Sequence, residues 1–260
     1  MELGLAGRTV LVMGGSRGLG RATAEALVAE GARVIVTSRT EANAAETCRA
    51  LDPSGERAVP LALDTERPES VAGLGAALDR IAPEGVYAAY VNTGGPPAGD
   101  FADFDMDAWR LAVQKLLLGP VDACRQLIPR LLDGGALLFN ASSSVRVPIP
   151  RLLLSNTIRP AVVALAKNLS LELAPRNIRV NVLAPGRIAT DRVQELDRIN
   201  AERQGTTPEA VRAASAAQIP LGRYGEPLEY GRVAAFLLSP AASYVTGVTL
   251  LVDGGLVRSL

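Results

Sequence analysis

Short apolar runs rich in valine, leucine and isoleucine alternate with amphipathic stretches from one end of the chain to the other. The runs at 9–14, 33–39, 58–64, 86–95, 135–143, 178–186 and 247–255 read as seven strands. The stretches at 18–31, 40–51, 67–81 and 107–132, and one ending near Ala174, carry helical spacing. Strands that are apolar on both faces, each followed by a helix, predict a parallel sheet covered on both sides, an α/β architecture. No Pro/Gly/Ser linker and no repeat interrupts the pattern, so one domain is predicted over 1–260.

One segment departs from the alternation. Residues 187–225 are charged, carry broken helical spacing and follow the end of a strand. Ligands of open parallel sheets sit beyond the carboxyl ends of strands, so this segment is expected to be a substrate lid.

Composition narrows the function classes. Lys plus Arg and Asp plus Glu are both 27, and the balance points to neither nucleic acid nor an acidic membrane surface. Only Lys115 and Lys167 among the cations are lysines. With no histidine, a Ser-His-Asp triad, an imidazole base and His-ligated zinc are excluded. Cys48 and Cys124 lie far apart in helical stretches and read as small buried side chains, so no metal site is expected. No apolar stretch suits a membrane span and no leader pattern opens the chain, which predicts a soluble cytoplasmic protein.

The first candidate site is "MGGSRGLGRA", which sets Gly14, Gly18 and Gly20 between the first strand and the first helix. Glycines there permit a tight turn and close backbone approach to a pyrophosphate, and the helix start offers free N–H groups. Ser16, Arg17 and Leu19 belong to the same turn.

The Gly-x-x-x-Gly-x-Gly spacing resembles that of the short-chain dehydrogenase/reductase family, and the resemblance runs through essentially the whole chain. It implies a doubly wound Rossmann fold of seven parallel strands with helices on both faces. Asp64 resembles the family's adenine-contacting Asp, and "VNTGG" the Asn-Asn-Ala-Gly strand end, with Asn92 and Gly94 in register. "LAPGRIAT" resembles the Pro-Gly turn, with Pro185 and Gly186 followed by Ile188 and Thr190, which the family sets against the nicotinamide amide. "VTGVTLLVDGG" matches the C-terminal signature.

Charge predicts the cofactor. An acid at the end of the second strand would accept bonds from a ribose 2′-OH and repel a 2′-phosphate. Here that end holds Ser38 and Arg39, with no acid before Glu41, and Arg17 lies in the glycine turn. Two guanidiniums flanking the 2′ position favour NADP(H) over NAD(H).

The family's chemistry uses Asn, Ser, Tyr and Lys. Counting back from Glu172, the resemblance sets the tyrosine position on Ser155, the lysine position on Arg159 and the serine on Ser142. From Trp109 and Gly119, the asparagine position falls on Leu116. No change of register restores the pair, because Tyr87, Tyr90, Tyr224, Tyr230 and Tyr244 all lie elsewhere. Ser155 and Arg159 are spaced to share one helix face. Arginine can hold a fixed positive charge there but cannot shuttle a proton. Pro160 suits the first turn of a helix, so a helix starting later, capped by Asn156 or Thr157 with Ser155 on a loop, is the alternative reading.

The resemblance therefore implies an NADP(H)-dependent oxidoreductase similar to 3-oxoacyl carrier-protein reductases, with a small-molecule or acyl-thioester substrate. Ser142, joined by Ser144 or Ser155, would hydrogen-bond the carbonyl. The alternative is a catalytically degenerate nucleotide-binding relative, its carbonyl site filled by Leu116, Leu152–Leu154 and Pro97. Apolar second faces at 107–132 and 155–174 predict a homo-oligomer, as in the family's tetramers.

Overall fold

The computed structural model describes residues 2–258. Strand β1 (Thr9–Val12) leads into α1 (Gly18–Ala29), and β2 (Arg33–Ser38) into α2 (Glu41–Leu51), capped by the Thr40 hydroxyl. After β3 (Ala58–Ala62) come α3 (Pro68–Ala72) and α4 (Leu74–Ile81). Strand β4 (Val86–Val91) is followed by α5 (Met106–Val113), a π-helical turn (Gln114–Leu118) and α6 (Gly119–Leu127). Then come β5 (Leu131–Asn140), α7 (Leu153–Glu172) and β6 (Arg179–Pro185). Helices α8 (Asp191–Gln204), α9 (Pro208–Ala216) and α10 (Pro227–Leu238) precede β7 (Thr249–Val252).

The seven strands form one sheet in the order β3-β2-β1-β4-β5-β6-β7, every neighbouring pair parallel. Strand β1 pairs with β2 on one side and β4 on the other, so the winding reverses there and leaves a crevice at the carboxyl ends. One core cluster joins Leu74, Leu78, Leu127 and Val162 to one sheet face; the other joins Leu27, Ala234 and Leu238 to the opposite face. The predicted doubly wound α/β fold is the observed one.

Several boundaries differ from expectation. Strand β4 ends at Val91 rather than 95, because Asn92–Gly95 leave the ladder to line the crevice. Strand β5 starts at Leu131, which pairs with Val86 before a register shift, and ends at Asn140, short of the serines. The single helix expected over 107–132 is divided by the π-helical turn, and the strand begins inside its range. The apolar pattern at 227–238, outside the elements expected from sequence, forms α10, which packs along α1.

The alternative start of α7 is corrected. The helix begins at Leu153, so Ser155 lies within it, and Pro160 sits in its interior rather than its first turn. Neither Asn156 nor Thr157 caps it. Asn156 instead donates through Nδ2 to the Ile149 carbonyl (2.8 Å) and accepts the Ile149 N–H at Oδ1 (3.2 Å), holding the preceding loop. Pro160 is tolerated because it faces solvent. Cys48 and Cys124 are buried free thiols, pushed up to about 11 and about 12 by burial, Asp52 adding to the rise at Cys48.

Candidate active site

The turn after β1 is tied to β2 by Gly15 N–H to the Thr37 carbonyl (2.8 Å) and Gly14 N–H to the Thr37 hydroxyl (3.2 Å). Gly18 has φ 54°, a left-handed backbone that glycine takes without strain. A Cβ on Gly20 would stand 2.1 Å from the Gly14 carbonyl oxygen, so only glycine lets α1 start this close to the turn. Arg17 precedes α1 without a side-chain cap, leaving the first N–H groups of the helix free for an anion.

This turn opens into a cavity of about 610 Å³ at the carboxyl ends of the strands. Its lining collects Gly14, Ser16, Arg17, Gly18, Leu19, Ser38, Arg39, Asp64, Asn92 and Gly94. It also collects Ser142, Ser155, Arg159, Pro185, Gly186, Ile188 and Thr190. Gly20 alone among the residues assigned from sequence lies outside the lining, buried behind the turn. The Ser16 and Ser38 hydroxyls meet at 3.1 Å, and Arg17 and Arg39, each next in sequence, are exposed in the same lining.

The carbonyl end stays open. Of the side chains expected to fill it, Leu152 lines the cavity, whereas Leu116 packs with Ala112, Leu154 and Ile158 in a small separate cluster and Leu116, Leu153, Leu154 and Pro97 are not in the lining. Ser142 faces it, its Oγ accepting the Ser144 N–H at 3.1 Å. Ser144 is buried away from the cavity, so it does not share the position expected for it.

Ser155 and Arg159 do share one helix face: Arg159 Nε donates to Ser155 Oγ at 3.0 Å and Nη1 to the Asn140 carbonyl at 3.2 Å. Arg159 is 7% exposed. Burial lowers its pKa from the ordinary arginine value, and the charge of Arg192 acts in the same direction.

Beneath this floor runs a polar chain that sequence reasoning missed. Tyr90 and Tyr230 are both fully buried with hydroxyls 3.0 Å apart. Tyr230 donates to Asn140 Oδ1 (2.9 Å), Asn140 Nδ2 to Asn92 Oδ1 (2.8 Å), and Asn92 Nδ2 to the Met13 carbonyl (3.3 Å). The chain links α10 to the ends of β5, β4 and β1. An asparagine closing the apolar run of β5 was the one available signal. The tyrosines, 140 residues apart, gave none.

Further lining residues went unassigned. Lys115 pairs with Glu66 (2.7 Å). Arg192, in the first turn of α8, donates to the Pro96 carbonyl (2.6 Å). Arg151, at φ 62°, bonds Asp100 at 2.8 Å and so joins the loop after β4 to the loop before α7. At the base of the 187–225 segment, Tyr224 donates to buried Asp197 (3.0 Å), which Arg187 meets at 3.2 Å.

A glycine turn against a helix start, an open cavity at the switch point and a serine hydroxyl facing it define a nucleotide-dependent enzyme class. The sequence matches the family described as Enoyl-(Acyl carrier protein) reductase over residues 14–257, and the chain belongs to the short-chain dehydrogenase/reductase family. It is an oxidoreductase of that family, acting on CH–OH or carbonyl groups. It is 37% identical over 258 residues to 3beta-hydroxysteroid dehydrogenase 1 of Eggerthella lenta, covering 97% of this chain and 94% of the relative. Glucose 1-dehydrogenase 2 of Bacillus subtilis is 30% identical, with 97% and 95% covered. The L-sorbose reductase of Gluconobacter frateurii, solved with NADPH and L-sorbose, superposes with a TM-score of 0.93 over 100% of both chains at 26% identity. Among the described residues, no helix is long and apolar enough to cross a membrane.

Proposed function

We propose that the chain is an NADP(H)-dependent reductase of a small-molecule carbonyl compound. The observation that carries this reading is the end of β2, where the Ser16 and Ser38 hydroxyls meet and Arg17 and Arg39, the residues that follow them, line the same cavity with no carboxylate on that strand end. A 2′-phosphate fits there and a bare ribose has no acid to receive its hydroxyls. The solved NADPH complex of the sorbose reductase supports a nicotinamide cofactor.

The residues present fit such a group. The Gly14–Gly20 turn and the uncapped start of α1 suit a diphosphate, Asp64 and Asn92 would hold the nucleoside, and Pro185, Gly186, Ile188 and Thr190 line the same cavity. When bound, the nicotinamide supplies the hydride. Ser142 Oγ and Ser155 Oγ each already accept an N–H, so each keeps its own O–H to donate to a substrate oxygen. The guanidinium on Ser155 Oγ strengthens that donor. Neither serine is acidic enough to give up a proton near neutrality, so the proton comes from water admitted by the open cavity.

Residues 187–225 act as the lid: α8 presents Arg192, Leu196 and Ile199 to the cavity. Phe101, Met106, Leu111 and Leu171 are exposed on the outer side, which supports a homotetramer. A monomeric mass at micromolar concentration would overturn the tetramer. Calorimetric titration of NADPH against NADH, then NADPH oxidation with 3-oxoacyl thioesters, quinones and diketones, tests the reading. Tighter NADPH binding with turnover of any carbonyl supports it; equal or tighter NADH binding refutes the cofactor preference.

A further inference from the structure

Arg159 is a buried cation with no carboxylate partner among the described residues. Its two protein acceptors are neutral, a serine hydroxyl and a peptide carbonyl, and Nη2 has no partner among the described residues. Arg192, of like charge, lines the same cavity and acts on it electrostatically. Arg192 is only partly neutralised, by half-exposed Glu195 at 3.0 Å. Such an exposed pair is weak. A buried guanidinium is ordinarily paired, because leaving it uncompensated is costly.

The cofactor's phosphates do not supply the missing charge. They belong to the turn after β1, whereas Arg159 hangs from the end of β5 and from α7. Strand β4 lies between β1 and β5, which sets the two places roughly 10 Å apart at a strand spacing of about 4.8 Å. Ribose hydroxyls could fill the hydrogen bonds of Nη2 but not the charge. The same cavity is lined by the apolar side chains of Ile149, Leu152, Leu196 and Ile199, with Glu195 and Asn200 among them.

We infer that the substrate is a carbonyl compound carrying a carboxylate next to the reacting carbon on an apolar body, the carboxylate bound between Arg159 and Arg192. This rests on the reductase reading above. In the reaction the carbonyl carbon gains a hydride from the reduced nicotinamide, the C=O π pair takes a proton from water, whose hydroxide passes to the buffered solvent, and a hydroxy acid and oxidised nicotinamide leave.

The test has a binding arm and a turnover arm. Linear and branched aliphatic carboxylates are compared with their isosteric amides by thermal shift of the protein with and without saturating NADPH. The expected result is that at least one carboxylate outbinds its amide tenfold or more, and that Arg159→Gln and Arg192→Gln each abolish the difference. Direct titration of NADPH into each variant separates loss of the anion from loss of the cofactor. In turnover, α-ketoisocaproate and its homologues are expected to exceed their methyl esters tenfold in kcat/KM. Amides binding as well as carboxylates, or a difference that survives both variants, overturns the inference. If neutral ketones are reduced with NADPH at the same rate as oxo acids, the reductase reading stands and the anion site falls. If NADPH neither binds nor is oxidised, the reductase reading falls and the carboxylate arm on the free protein still decides the anion site.

Discussion

Tyr230 donates its hydroxyl to Asn140 Oδ1 at 2.9 Å, so a helix late in the sequence braces the end of β5, two residues before Ser142. Removing that hydroxyl leaves a buried amide oxygen and the Tyr90 hydroxyl short of a partner. Tyr230→Phe is therefore expected to cost about 1–3 kcal/mol in urea unfolding, with an unchanged m-value. Tyr90→Phe, which removes only the outer member of the chain, is expected to cost less.

The same two phenols give a pH dependence. Burial raises both well above the ordinary value of 10.0, the nearby Arg159 charge opposing it. The folded state keeps them neutral while the unfolded chain ionises near pH 10. Their contribution is complete below that pH and is lost as pH rises toward their folded values. Melting temperatures followed upward from about pH 9 should fall more steeply for the natural protein than for Tyr230→Phe.

Pro160 lacks the N–H that would bond the Asn156 carbonyl inside α7. Pro160→Ala supplies it on a solvent-facing position and should stabilise the protein by about 1–2 kcal/mol after the unfolded-state entropy of proline is offset. A scanning calorimeter would register a higher melting temperature; a lower one would mean that the restriction proline places on the unfolded chain outweighs the missing hydrogen bond.

Arg39→Glu places an acid beside the Ser16–Ser38 pair. NADPH affinity should drop about 10- to 100-fold, as for loss of charge-assisted bonds, while NADH affinity holds or improves. Calorimetry of both cofactors measures the change, and an equal loss for the two would remove Arg39 from the 2′ site.

Ser142→Ala removes the hydroxyl donor whose oxygen is already committed to the Ser144 N–H. A fall of about a hundredfold or more in kcat/KM is expected, with NADPH affinity within about twofold, as for a lost oxyanion donor. Parallel losses in NADPH binding would point to a collapsed loop.

The glycine turn, the strand ends and the Ser155–Arg159 face were legible because each is written in short-range spacing: glycine where φ is positive, alternation where a strand is buried, four residues where a helix turns. What stayed hidden is long-range. Nothing near Tyr90 announces Tyr230, and nothing near Arg192 announces Pro96. The start of α7 stays open in the sequence because Pro160 also suits a first turn; packing of Leu154 and Ile158 decides for the earlier start over one missing hydrogen bond.

The placement of α10 has a consequence for biosynthesis. Its Tyr230 lies 90 residues downstream of the strand end it braces, and the helix packs along α1, the element that opens the nucleotide turn. A growing chain that has already released β1 to β5 still lacks the brace under Asn140 and the cover for α1. Assembly of a working site therefore waits for the last few dozen residues, and a protein shortened before α10 would present a glycine turn without a floor to work over.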